Sequence, residues 1–130
     1  MIQLKSVLKC IDNSGASLVE CALVIGQKRH AGIGDRIVVV VKENRNNTAG
    51  LGAVAASNKV RRGDIRQAVV VRTKYTSQRR DGSTVRFDDN ACVLVSKSGD
   101  PIGTRITGVV GAELRRKKWG KLLSMAPSYT

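Results

Sequence analysis

Few side chains in this sequence could carry out chemistry. One histidine, His30, and three cysteines, Cys10, Cys21 and Cys92, are the candidates for nucleophilic or metal work. A zinc site needs three or four ligands at close spacing. The cysteines are scattered, with no Cys-x-x-Cys pair, so no metal is expected. Each sits among alternating apolar residues, as in Val19-x-Cys21-x-Leu23-x-Ile25, and reads as a small buried hydrophobe. Three thiols close no disulfide framework, which suggests a reducing compartment. A nucleophilic thiol needs a base beside it, and His30 lies in the basic stretch Gln27-Lys28-Arg29-His30, better placed to neighbour a phosphate. Asp88 and Asp89 are adjacent. On a strand such neighbours face opposite ways, so they do not converge on one bond. An enzyme working through Cys92 or His30 is a third hypothesis with almost no parts, and neither an enzyme nor a cofactor is expected.

The cations are a different matter. There are 23 Lys plus Arg against 10 Asp plus Glu in 130 residues, a formal charge of +13. On one small domain this repels itself unless a polyanion neutralises it. The distribution is uneven. From Met1 to Asn44 six basic residues face four acids, whereas from Lys59 to Arg86 nine basic residues face only Asp64 and Asp81. The clusters are Lys59-Val60-Arg61-Arg62, Arg79-Arg80, and Arg115-Arg116-Lys117-Lys118 with Lys121. Lys74 and Arg86 flank the second, and Lys28 and Arg29 form a smaller fourth group. Arginine predominates in the central stretch, and its planar fork suits bidentate contact with phosphate. A charge run by itself is usually a solvated face; three runs on a chain of this net charge indicate nucleic acid. The RNA-binding candidates are therefore Lys28, Arg29, Lys59, Arg61, Arg62, Lys74, Arg79, Arg80, Arg86, Arg115, Arg116 and Lys117. Single-strand binders stack bases on aromatic platforms, but aromatics are 3% of this chain, and Phe87 and Trp119 look committed to packing. Backbone and shape recognition of a folded RNA is the mode that remains.

The elements that must hold these residues have a period of mostly two. Strands are expected at Gln3 to Ile11, Leu18 to Ile25, Arg36 to Lys42, Gln67 to Thr73, Thr84 to Phe87, Ala91 to Val95 and Ile102 to Ile106. Turn clusters such as Asp12-Asn13-Ser14-Gly15 and Arg80-Asp81-Gly82-Ser83 separate several of them. Short strands with frequent turns predict an all-β fold, a small antiparallel barrel or sandwich, in a single domain. The last quarter switches period. Trp119, Leu122, Leu123 and Ala126 occupy one helical face, so a helical extension docked by Trp119 is expected over about 111–130, with the barrel over about 1–110. Residues 44–58, polar and glycine-rich, read as an inserted loop. Their Gly50-x-Gly52-x-x-Ala55 pattern lacks the strand and helix of a dinucleotide site. The longest apolar run, Ile37 to Val41, is far short of the ~18 residues that cross a membrane, and no membrane partner or secretory signal is expected.

Several stretches taken together carry a family resemblance. They are Asp12-Asn13-Ser14-Gly15-Ala16, Ala31-Gly32-Ile33-Gly34-Asp35, Lys59-Val60-Arg61-Arg62-Gly63-Asp64, Asp81-Gly82-Ser83-Thr84-Val85-Arg86-Phe87, Asn90-Ala91-Cys92-Val93-Leu94 and Pro101-Ile102-Gly103-Thr104-Arg105-Ile106. In these the chain resembles the bacterial-type large-subunit ribosomal protein family numbered fourteen, over nearly its whole length. The resemblance implies a five-stranded β-barrel with a C-terminal loop and short helices. It also implies binding to large-subunit ribosomal RNA, contact with a neighbouring large-subunit protein, and help in a bridge to small-subunit ribosomal RNA. Family members also dock a ribosome-silencing factor. The partner-binding residues would then be Thr104, Arg105, Lys118 and Lys121. Two departures from the family pattern, the long 44–58 segment and the absence of an acidic residue after Pro127, point to a mitochondrial member of fungal type. The alternative setting is a bacterial cytoplasm. The alternative function is a free-standing single-strand nucleic-acid-binding barrel, which would show surface aromatics on one sheet face.

Overall fold

The computed structural model describes residues 2–26, 29–44, 60–117 and 119–130. Five strands close a barrel in the order β1 (Val7–Cys10), β2 (Ala16–Val24), β3 (Arg36–Asn44), β4 (Ile65–Arg72) and β7 (Ala91–Val95). Each neighbour in this order is antiparallel except the closing pair, β1 with β7, which is parallel with Cys10 opposite Cys92. The reason is parity. Four successive reversals bring the fifth strand back to the direction of the first, so an odd-numbered barrel of this kind must close on one parallel pair. This corrects the expectation of a purely antiparallel sheet. Register shifts in β2 between Ala16 and Val19, and again between Cys21 and Leu23, supply the extra twist that wraps a long strand around a narrow barrel.

Two expected strands lie elsewhere. The 84–87 stretch contributes only β6 (Thr84–Val85), which pairs with β5 (Ser77–Gln78) as a separate two-stranded hairpin outside the barrel. The 102–106 stretch forms no strand. It is tied down by isolated bridges, Val95 to Pro101 and Asp12 to Ile106, because side chains of the Asp12–Ser14 turn replace a strand ladder. Asp12 is 1% exposed. Its Oδ1 accepts hydrogen bonds from the Ser14 hydroxyl at 2.6 Å, the Cys10 thiol at 2.9 Å and the Ser14 N–H at 3.3 Å, and its Oδ2 accepts from the Leu94 N–H at 3.1 Å. Asn13 Oδ1 accepts from the N–H groups of Thr104 (2.6 Å) and Arg105 (3.1 Å), while its Nδ2 donates to the Thr104 hydroxyl. Gly103 lies under this clamp. A Cβ there would sit 2.7 Å from Asn13 Oδ1, so the close approach requires glycine.

The barrel interior holds Leu8, Cys10, Val19, Cys21, Ile37, Val39, Val41, Ala68, Val70, Cys92 and Leu94. A second cluster lies outside the sheet, where Val69, Val71, Ala91, Val93 and Val95 pack against Ile33, Val110, Leu114 and Leu122. That is why Ala68-Val69-Val70-Val71 and Ala91 to Val95 are apolar without alternation: both faces are covered.

The cover on this side is the C-terminal extension. It holds two short helices, α1 (Glu113–Arg116) and α2 (Gly120–Met125), as the resemblance implies. Trp119 stands at the junction, its Nε1 donating to Gly34 O at 2.8 Å. Ala126 is already extended, as a residue before proline must be. A two-residue parallel ribbon, β8 (Val109–Val110) with β9 (Ser128–Tyr129), returns the chain to the barrel. The expected docking by Trp119 is thus shared with Leu114 and Leu122, both fully buried. The 44–58 loop, apart from Asn44, lies outside the described residues.

Asp12→Ala leaves buried donors on Ser14 and Leu94 without an acceptor. A stability loss of about 3 kcal/mol is expected by urea denaturation; a loss below about 1 kcal/mol would show that the turn holds without its carboxylate.

Candidate nucleic-acid interface

The exposed cations fall at separate places on a rigid frame. Arg61 and Arg62 occupy the turn between Val60 and β4. Arg61 N–H donates to Asp64 Oδ2 at 2.9 Å, Asp64 N–H returns to Arg61 O, and Gly63 takes φ +87° to complete the reversal. Both arginine side chains are exposed. Val60 N–H donates to Ser14 O, so this turn rests on the same Asp12–Gly15 segment that holds Thr104 and Arg105. The structure therefore brings together residues that the sequence kept apart: Arg61 and Arg62 with Thr104 and Arg105, all four exposed at one end of the barrel.

The hairpin lies past the other end of β4. Eight residues of β4 at ~3.3 Å each place it about 26 Å from the Arg61–Arg62 turn. Arg80, Lys74 and Arg86 are exposed there. The tip is built by Asp81, whose Oδ1 accepts from the Ser83 hydroxyl (2.6 Å) and N–H (3.0 Å). These bonds, with the positive charge of Arg79 nearby, lower the Asp81 pKa. Arg79 is different. Its Nε donates to Glu113 Oε1 at 2.6 Å and its Nη2 to the main-chain oxygen of Thr130 at 2.6 Å, so it straps the hairpin to the extension. It also lines a shallow cleft of about 280 Å³ with Glu113, Arg115 and Arg116.

Arg115 and Arg116 are exposed on α1, and Arg115 caps the Tyr129 ring at 5.3 Å while its Nη2 donates to the Tyr129 hydroxyl. Lys117 Nζ pairs with Asp35 at 2.8 Å, and Lys121 Nζ with Asp100 at 2.9 Å. The Lys121 ammonium, followed by Ser98, holds the Asp100 carboxyl below its ordinary range. The Lys121 pair is solvent-exposed and contributes little to stability. Lys117 and Lys121 share a cleft of about 430 Å³ with Trp119 and Arg36. Arg36, which the sequence reading passed over, stacks on Trp119 at 5.1 Å and reaches Gln67 and the Lys97 carbonyl. Asn13 was missed too, although the Asp-Asn-Ser-Gly turn signature marks it. Arg29 and His30 are exposed on a bend before Ala31. Lys28, Lys59 and Lys118 lie outside the described residues.

The residues considered for catalysis are spent on structure. All three cysteines are buried. The Cys10 thiol is pushed well above its ordinary 9.0 by its contact with Cys92, by burial and by the Asp12 charge, and the Cys21 thiol is raised by burial. Asp89 meets Arg72 at 3.3 Å and Lys9 at 3.6 Å, while Asp88 is exposed. The described residues hold no cluster of three or more potential metal ligands.

The family model described as ribosomal protein L14p/L23e matches residues 1–130. The chain belongs to this family. It is 73% identical over 128 residues to a Neurospora crassa protein named large ribosomal subunit protein uL14m, covering 98% of each chain. It is 54% identical over 127 residues to the Schizosaccharomyces pombe protein of the same name, again covering 98% of each. As a member of the L14p/L23e family the chain is a ribosomal structural protein and not an enzyme.

Two outcomes follow from this geometry. Arg79→Ala should cost about 2 kcal/mol, since it strands the Glu113 carboxylate, whereas Arg80→Ala should stay within ~0.5 kcal/mol; equal melting temperatures for the two variants would contradict the strap. Ellman's reagent should leave the native thiols unmodified at neutral pH and label all three in urea. The fold favours the protonated form of the Cys10 and Cys21 thiols, so the stability they contribute is complete below pH 9.0 and falls as the pH rises past it. Stoichiometric labelling of the native protein would refute their burial.

Proposed function

We propose that this structural constituent of the large ribosomal subunit works in the mitochondrial ribosome and binds large-subunit ribosomal RNA through phosphate and shape contacts. Its relatives' names support the setting, since both carry the suffix of the mitochondrial form. The observation that carries the mode of binding is the pairing of exposed cations with occupied aromatics. Arg61, Arg62, Arg80, Arg86, Arg115 and Arg116 are open to solvent. Phe87 and Trp119 pack against the outer core, Arg115 stacks on the half-exposed Tyr129, and Tyr75 is a single half-exposed ring on a bend before β5. A sheet face of stacking aromatics, which a free-standing single-strand binder needs, is missing among the described residues, and the family match over the whole chain argues the same way. The RNA-binding residues are Arg29, Lys74 and the six arginines above. Lys28 and Lys59 are proposed on sequence alone, and Arg79 and Lys117 contribute at the margins of their internal pairs.

The end that gathers Thr104 and Arg105 beside Arg61 and Arg62 is suited to a protein partner or to small-subunit RNA at an intersubunit bridge. Asn13 fixes the 104–105 backbone, so those side chains are presented without a backbone ordering cost. A ribosome-silencing factor is the proposed partner there, with Lys118 and Lys121 assigned to it by resemblance.

Binding of the isolated protein to a large-subunit ribosomal RNA transcript should fall steeply with salt. About six to ten neutralised phosphates give a slope of several log units per log salt. Arg61→Ala with Arg62→Ala should lower that slope by about 2 while leaving the melting temperature unchanged. A flat salt dependence would overturn the phosphate-contact reading.

A further inference from the structure

Two of the three thiols meet at the seam where the barrel closes. In the parallel closing pair Cys10 of β1 stands opposite Cys92 of β7. Both side chains belong to the inner core and both are buried. The Cys10 thiol is in hydrogen-bonding contact with Cys92. Neighbouring strands lie ~4.8 Å apart, inside the ~4.4–6.8 Å that separates the Cα atoms of a disulfide. The two sulfurs can therefore be joined with little movement of the backbone. Cys21 shares the interior, but it lies on β2, where its neighbours across the sheet are Val39 and, through its own N–H, Ser6.

The polar group beside this pair tolerates the change. Asp12 Oδ1 accepts the Cys10 thiol at 2.9 Å. With that donor gone, the carboxylate still accepts from the Ser14 hydroxyl, the Ser14 N–H and the Leu94 N–H, so it stays satisfied. Access to the sulfurs is the other requirement. A thiol reacts as its thiolate, and contact with Cys92, burial and the Asp12 charge all keep Cys10 protonated. The resting pair is inert, and reaction passes through brief openings of the seam. The seam is the place to open. β1 has only four residues, and two of them, Lys9 and Cys10, are in register with β7, the shortest ladder in the barrel.

We propose that Cys10 and Cys92 are a redox-modifiable pair, which a hydroperoxide converts into a disulfide that locks the barrel seam. One thiolate attacks the peroxide. The O–O bond breaks, water leaves, and the sulfur becomes a sulfenic acid. The second sulfur attacks the first. The S–O bond breaks, the S–S bond forms, and a second water leaves. The two thiols give up two electrons and two protons, and one hydrogen peroxide becomes two waters. The product ties the first strand of the barrel to the last, so the unfolded chain loses the freedom of all that lies between them. The lock is reversible by a free thiol. Directly opposed strands hold the Cα atoms at the short end of the disulfide range, and a strained disulfide is readily reduced.

The test treats the full-length protein with hydrogen peroxide at mildly alkaline pH. Urea is present well below the unfolding midpoint, where local openings are more populated. Remaining thiols are then alkylated, and the chain is digested without reduction for mass spectrometry. The expected product is one peptide pair joined through Cys10 and Cys92 within a single chain, with Cys21 alkylated. After removal of urea and peroxide the melting temperature should be higher by at least about 5 °C, and dithiothreitol should restore the original value. Cys21→Ala should leave the bond and the shift in place. Cys92→Ala should lose both. A bond through Cys21, a bond between two chains, sulfinic acid at Cys10 or Cys92 in place of the bond, or no oxidation would overturn the proposal. A Cys10–Cys92 bond that leaves the melting temperature unchanged or lower would overturn the lock.

Discussion

The Asp12 carboxylate holds together the place where the barrel closes. Strand β1 must meet β7 in parallel, and these strands come from distant parts of the chain, so closure carries the largest ordering cost in the fold. Asp12 sits just past the end of β1. One oxygen receives the Leu94 N–H from β7 and the other gathers Ser14 and Cys10 from its own side of the seam. A buried carboxylate is costly unless it is fully hydrogen-bonded. This one accepts four hydrogen bonds, so the charge serves as a rivet and not as an acid. Asn13 then extends the same device outward and fixes Thr104 and Arg105 without a strand. Ser14 receives the Val60 N–H and so seats the arginine turn.

The cations divide into two groups by what they touch. Arg79, Lys117 and Arg36 spend their charge inside the molecule, strapping hairpin and extension to the barrel through Glu113, Asp35 and the Trp119 ring. Arg61, Arg62, Arg80, Arg86, Arg115 and Arg116 remain open. Net charge alone does not make this division, since a cation already paired with a carboxylate releases fewer counterions on meeting RNA. The frame is stiff because Ala68–Val71 of β4 and Ala91–Val95 of β7 are buried on both faces. Basic residues on turns about 26 Å apart can then match the spacing of phosphates on a folded RNA.

Ala68–Val71 of β4 and Ala91–Val95 of β7 carry apolar side chains toward both faces of the sheet, so the barrel needs an outer cover. The extension supplies that cover through Leu114, Leu122 and Trp119. Membership of the L14p/L23e family and exposed cations carried on a covered barrel are consistent parts of one description, a structural protein of the ribosome.

The sequence by itself determined the all-β barrel, the three basic clusters, the absence of catalytic parts, and the family. These signals are local or compositional. Period-two alternation reports each strand separately, turn residues report each reversal, and the low aromatic content excludes base stacking wherever the chain goes. Tertiary structure decided the rest, because those features depend on which distant residues meet. The 102–106 stretch alternates like a strand, yet the Asn13 clamp takes up its backbone N–H groups. The 84–87 stretch pairs with β5 and leaves the barrel. Arg79 and Arg80 look alike in sequence, and only the position of Glu113 ties down the first and leaves the second free. Ile65 lies ahead of the expected Gln67–Thr73 strand, and only the register shows it as the start of β4, opposite Val40 and exposed.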